Sequence, residues 1–153
     1  MHRQLVLIVS LAVMGTAAAH AAPMTSFWTH THRMGIGEYF TGSWDAPTGG
    51  ALNLSCRDDG SASIMTQING EPPPGNGELL LTTSSRKHAH EGHFPTGADG
   101  SVRIASVVSS SAFNALWDAL RRDDIVTLRF PDGRMSVQSL VGAARTLPPK
   151  PCG

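Results

Sequence analysis

Ala51-Leu52-Asn53-Leu54-Ser55-Cys56-Arg57-Asp58-Asp59-Gly60-Ser61-Ala62-Ser63-Ile64-Met65-Thr66-Gln67-Ile68 carries the period of a β-hairpin. Leu52, Leu54 and Cys56 fall on one face of the first arm, and Asn53, Ser55 and Arg57 on the other. That two-residue alternation marks a strand with one buried side. Asp59-Gly60 supplies the turn, because glycine accepts the positive φ that a tight hairpin requires. Asp-Gly recurs at Asp99-Gly100 and Asp132-Gly133. The last pair joins Ile125–Phe130, where Val126, Leu128 and Phe130 share a face, to Arg134–Leu140. The middle pair precedes Val102–Val107, a strand whose upstream partner would be the His-rich segment from His88 to His93. Glu78–Ser84 reads as another strand. Asn69–Gly77, with Pro72, Pro73 and Pro74 between glycines, reads as a surface loop.

One segment has helical spacing. Ser111 can cap it, and Phe113, Leu116, Trp117 and Leu120 fall at i, i+3, i+4 and i+7. Arg121 and Arg122 close it favourably against the C-terminal end of the helix dipole. A shorter turn of helix is expected over Leu140–Leu147, halted by Pro148-Pro149. The predicted fold class is α+β: an antiparallel sheet, or a small barrel-like one, of roughly six to eight strands with one main amphipathic helix near 111–122.

The N-terminus points to a compartment. Met1–Gln4 is a short cationic head, Leu5–Met14 an apolar run, and Ala19-His20-Ala21 a small-residue cleavage site. This is the grammar of a secretory signal peptide over residues 1–21, ahead of a single β-rich domain over 22–153. The apolar run is about half of what crosses a bilayer, so no transmembrane segment is expected in the mature chain. Arg outnumbers Lys, and Ala and Gly are abundant, as in GC-rich bacterial genomes, so the expected location is periplasmic or secreted. Such a compartment favours pairing Cys56 with Cys152. Closing a loop of about 100 residues contributes on the order of 4–5 kcal/mol in the chain-entropy account. The alternative is two reactive thiols, which would lack any C-x-x-C arrangement. Twelve basic and twelve acidic residues balance, and the basic ones are scattered, which argues against nucleic-acid binding.

Histidines are the most chemically pointed feature. His30-Thr31-His32 and His88-Ala89-His90-Glu91-Gly92-His93 each contain an H-x-H pair, which on a strand projects two imidazoles from one face. If the two groups met, His30, His32, His88, His90 and His93 would suit copper or zinc; otherwise they are solvated surface groups and no cofactor is expected. A small zinc-dependent hydrolase is a further alternative. However, His90-Glu91-Gly92-His93 is one residue short of H-E-x-x-H, and Gly92 and Pro95 oppose the helix that motif needs. No G-x-S-x-G elbow or phosphate-cradling G-K-S/T is present, so no enzyme class is indicated. Trp28, Tyr39 and Trp44 concentrate in the first mature segment. They form either a partner surface or core filling beneath the helix that carries Trp117.

The final stretch, with Phe113-x-x-Leu116, Ala119-Leu120, Ile125–Phe130, Asp132-Gly133, Ser139–Ala144 and Cys152, resembles small periplasmic proteins of the invasion-associated locus B type. That resemblance implies a non-enzymatic, β-rich, disulfide-containing accessory factor and carries no binding residues across. The expectation is therefore an exported, non-catalytic binding or accessory domain with an envelope or extracellular partner. A periplasmic copper- or zinc-binding protein is the alternative.

Overall fold

A computed structural model describes residues 27–153, so the expected leader over 1–21 lies outside the described residues. Alternating sequence becomes strand almost throughout. β1 (Thr29–Arg33), β2 (Ile36–Gly42), β3 (Gly50–Arg57), β4 (Ala62–Ile68) and β7 (Val102–Ile104) form a five-stranded antiparallel sheet in the order β1-β2-β3-β4-β7. β5 (Glu78–Ser84), β6 (Ala89–Pro95), β8 (Ile125–Arg129) and β9 (Met135–Ser139) form a second sheet in the order β6-β5-β8-β9. Two helices complete the described fold, α1 (Ser111–Arg122) and α2 (Ala143–Thr146). The α+β class holds, with two open sheets rather than a closed barrel.

Both outer Asp-Gly hairpins form between the expected segments. Leu54 faces Ile64 and Cys56 faces Ala62 across β3–β4, while Thr127 faces Val137 across β8–β9. The middle one does not make a hairpin. β6 pairs with β5, whereas β7 crosses to the other sheet and pairs with β4. Asp99-Gly100 is instead a sheet-switching corner. Asp99 Oδ1 accepts from the Ser101 amide and hydroxyl, and Arg103 bonds Oδ2. The Ser101 hydroxyl and amide, then Arg103, hold the Asp99 carboxyl down at about 2. Gly100 adopts φ +76°, and a side chain there would collide with the Pro73 carbonyl. The proline loop is thus packed rather than merely exposed, with Pro73 itself buried. Arg134 clasps it from the β8–β9 turn, donating to the carbonyls of Ile68, Glu71 and Pro72 while lying over the Phe130 ring.

The inner faces of both sheets share one core with α1. Tyr39, Leu52, Leu54 and Ile64 meet Leu79, Leu81, Val126 and Leu128, and α1 contributes Phe113, Leu116, Trp117 and Leu120. Ser110, one residue before the expected cap, accepts from the Phe113 amide at 3.3 Å and starts the helix. α1 lies chiefly along β6 and reaches the larger sheet through Trp117, whose ring meets Tyr39 edge-on at 5.2 Å. Trp117 Nε1 donates to the Pro148 carbonyl at 2.9 Å, joining the C-terminal tail to the same side chain.

Cys56 of β3 is bonded to Cys152, with Cα atoms 5.3 Å apart and a sequence separation of 96. No described helix is long and apolar enough to cross a membrane.

Trp117 is the largest fully buried side chain among the described residues. Trp117→Ala is expected to lower stability by about 3–5 kcal/mol, and Trp117→Phe by less, since it keeps a ring while freeing the Pro148 carbonyl. Urea denaturation of the two variants would show this ranking, and equal losses would contradict it. Reducing the disulfide is expected to lower the melting temperature and raise amide exchange first in residues 148–153. Exchange that rises uniformly along the chain would contradict a local tether.

Candidate functional site

Strand alternation places Trp28, His30 and His32 on the face of β1 that continues the core side of the larger sheet. Their cross-strand neighbours are Tyr39 opposite His30 and Gly37 opposite His32. Gly37 in turn faces Cys56. Tyr39 and Cys56 are buried, but His30 and His32 are exposed, so the inner face of the sheet emerges from under its cover at β1. The His30 ring stacks on Tyr39 with centroids 4.5 Å apart and planes 14° from parallel. Burial pushes the Tyr39 phenol up, keeping this ring neutral over the working pH range.

A two-lobed cleft opens at this edge. The larger lobe, about 630 Å³, runs from His30 and His32 over Gly37 and the disulfide to Arg57, Asp58 and Val108. The smaller, about 330 Å³, lies between His30, Tyr39, Arg121, Arg145, Thr146 and the tail at Pro148-Pro149. His30, Tyr39 and Gly153 line both lobes. Each wall has a local cause. β1 supplies imidazoles by alternation, the last turn of α1 supplies Arg121, and the short α2 supplies Arg145. The proline-rich tail, unable to join a sheet, is held by the disulfide and by Arg121 Nε donating to the Leu147 carbonyl at 3.0 Å.

The five candidate histidines do not come together. β1 is an edge of one sheet and β6 an edge of the other, and among the described residues no three His, Cys, Asp or Glu side chains form a group able to hold a metal. The three-residue step from His90 to His93 puts them on opposite faces of β6, since side chains alternate with period two. His90 faces the interior side with Phe94, and its Nε2 is buried without a hydrogen-bond partner. His88 sits in the β5–β6 turn, where its amide donates to the Ser85 hydroxyl. His93 has both ring nitrogens engaged, Nδ1 with Glu78 at 2.9 Å and Nε2 with Glu91 at 3.0 Å. A metal at His93 would have to displace one of these carboxylates. His30 and His32 are the pair with converging nitrogens. His30 Nε2 and His32 Nδ1 lie 3.7 and 3.6 Å from the point where a Cβ on Gly37 would sit.

Of the three aromatics, two take the core-filling alternative and one lies at the surface. Trp28 is 8% exposed and Tyr39 5%, both within the core, because their positions alternate onto the inner face. Trp44 is 38% exposed and packs edge-on against Phe40 on the outer face. Sequence reading missed Arg57, Arg121 and Arg145 as cleft residues. Arg121 carries a helix-end signal that explains its presence without reference to a ligand, and Arg145 carries none.

A family profile named YfjT matches residues 26–147. The chain belongs to the YfjT family. That span includes both sheets, α1 and α2, and therefore every wall of the cleft except the tail from Pro148 onward, which carries Cys152. No curated protein and no solved structure matches the chain.

His93 gives the molecule a defined pH signature. Hydrogen bonds donated to Glu78 and then Glu91 raise its imidazole above the usual range. A raised folded value contributes stability that is complete below the unfolded value, near 6.5, and is lost as pH rises through the folded value. Asp123 works in the other direction. Burial opposes its charge, but hydrogen bonds from Arg122 and Thr83 outweigh that and hold the carboxyl down, so its contribution is lost as pH falls. Glu78→Gln with Glu91→Gln is expected to move the His93 NMR titration to lower pH. The accompanying difference in melting temperature should be present in mild acid and vanish in mild base. An unmoved His93 titration would show that the two carboxylates do not hold it in solution.

Proposed function

We propose that this chain is an exported, non-catalytic binding or accessory domain, periplasmic or secreted, that takes its ligand in the cleft beside the disulfide. The observation that carries this reading is the combination at β1. A sheet face built for burial is left open there, with stacked rings, imidazoles and guanidinium groups gathered around it. Clefts of this size lined by rings and a few polar groups suit a small ligand or the end of a larger partner. The signal-like pattern over residues 1–21, the disulfide and the C-terminal resemblance to invasion-associated locus B-type proteins support an envelope location. The ligand would bind against a wall that only an oxidising compartment keeps in place.

A second reading, copper or zinc binding, is favoured by the convergence of His30 Nε2 and His32 Nδ1 over Gly37. Two imidazoles from one chain would leave the remaining ligands to come from outside it.

Cell fractionation with mass spectrometry is the direct test. The expected species is a chain trimmed after Ala21, found outside the cytoplasm, with neither sulfur open to alkylation. An untrimmed cytosolic chain with two free thiols would overturn the proposal. Stoichiometric copper or zinc in protein purified without a tag, lost in His30→Ala and His32→Ala, would transfer the reading to metal binding.

A further inference from the structure

We infer that the smaller lobe of the cleft is a site for an anionic group, a carboxylate or phosphate borne by the ligand. The inference rests on the binding-domain reading and names the ligand chemistry for it. Arg121, Arg145 and His30 surround this lobe, and no Asp or Glu is among the residues lining it. Three arginines outside this lobe are neutralised by carboxylates. Arg103 pairs with Asp99, Arg122 with Asp123, and Arg134 with Asp132 and Glu71. Among the described residues Arg121 and Arg145 have no such ion pair, although they face a common space. Arg121 is oriented rather than loose, because its Nε is committed to the Leu147 carbonyl while its two Nη groups take no described protein acceptor.

This arrangement matches what recognises an oxyanion. A guanidinium presents paired N–H donors in a planar fork, and charge-assisted hydrogen bonds are stronger than neutral ones. Thr146 places a hydroxyl beside the same space, and the stacked His30–Tyr39 pair gives it a flat apolar side. A volume of about 330 Å³ accommodates one such group with a short attached chain. Asp58 is the acidic side chain in the larger lobe, which Arg57 also lines. The lobe's far wall is the tail, held through Trp117, Arg121 and the disulfide. Anion affinity should therefore fall when Cys56–Cys152 is reduced, although neither sulfur touches the arginines' side of the cleft.

The test is an NMR titration of the oxidised chain with inorganic phosphate. Saturable shifts are expected at Arg121, Arg145 and Thr146, with affinity lowered at least about tenfold by Arg145→Glu. Arg129→Glu, an exposed charge reversal outside the cleft, should leave affinity unchanged. Co-sedimentation with phosphatidylglycerol vesicles, abolished by Arg145→Glu and competed by phosphate, would assign the same site to a lipid headgroup. Phosphate binding without vesicle binding would assign it to a soluble anion. Absence of saturable shifts together with absence of vesicle binding would overturn the inference, as would equal weakening by Arg129→Glu. If the chain is exported and disulfide-bonded yet ignores both probes, only the anion site falls. If it is cytosolic and reduced, the underlying reading falls as well.

Discussion

The inner face of the larger sheet extends farther than the layers that cover it, and the functional architecture follows from that mismatch. Over Tyr39, Leu54 and Ile64, α1 and the second sheet close a continuous core. One strand farther out, the same face carries His30 and His32, which are exposed. Imidazole suits this boundary in a way leucine would not. Its ring stacks on Tyr39 while its nitrogens remain available to water or a ligand. Gly37, lying between the two histidines and the disulfide, keeps the floor of the cleft low.

The tail sits at this boundary, and its position depends mainly on covalent attachment. Pro148, Pro149 and Pro151 cannot donate to a ladder, so the segment gains little from regular pairing. The hydrogen bonds from Trp117 and Arg121 to the Pro148 and Leu147 carbonyls contribute on the order of 1 kcal/mol each. The disulfide, which closes nearly the whole domain, contributes several times that through the unfolded chain. A structural bond thereby becomes a functional one, because the tail it places is one wall of the cleft.

Local signals in the sequence translated well into local structure. Asp59-Gly60 and Asp132-Gly133 fixed two hairpins because each lies between arms whose alternation agrees with the turn. The spacing of Phe113, Leu116, Trp117 and Leu120 fixed the helix to within its own boundaries. Asp99-Gly100 misled because a turn dipeptide reports local backbone geometry, not which sheet the next strand joins. β7 joins β4, across an interval that includes both β5 and β6. The β5–β6 hairpin was hidden for the opposite reason. Its turn over 85–88 uses Ser85 hydroxyl and backbone bonds to His88 and contains no glycine. Alternation also separated the aromatics, sending Tyr39 inward and its neighbour Phe40 outward, which a count of aromatic residues could not reveal.

Histidine clustering in sequence turned out to be a poor guide to a shared site, for a geometric reason. Neighbours along one strand can offer at most an i, i+2 pair on a face, so any fuller ligand set needs a second strand at the right register. β1 and β6 lie at the edges of separate sheets and cannot provide that register to each other. His93 is withdrawn further by its two carboxylate partners. The cleft's imidazole and guanidinium groups instead come from β1, the end of α1 and α2, segments far apart in sequence that meet because Trp117 draws helix, sheet and tail together. Arg121 shows the ambiguity most clearly. A basic residue in the last turn of a helix is already accounted for by the dipole, so only the tertiary arrangement reveals that Arg121 lines an open lobe with no Asp or Glu side chain.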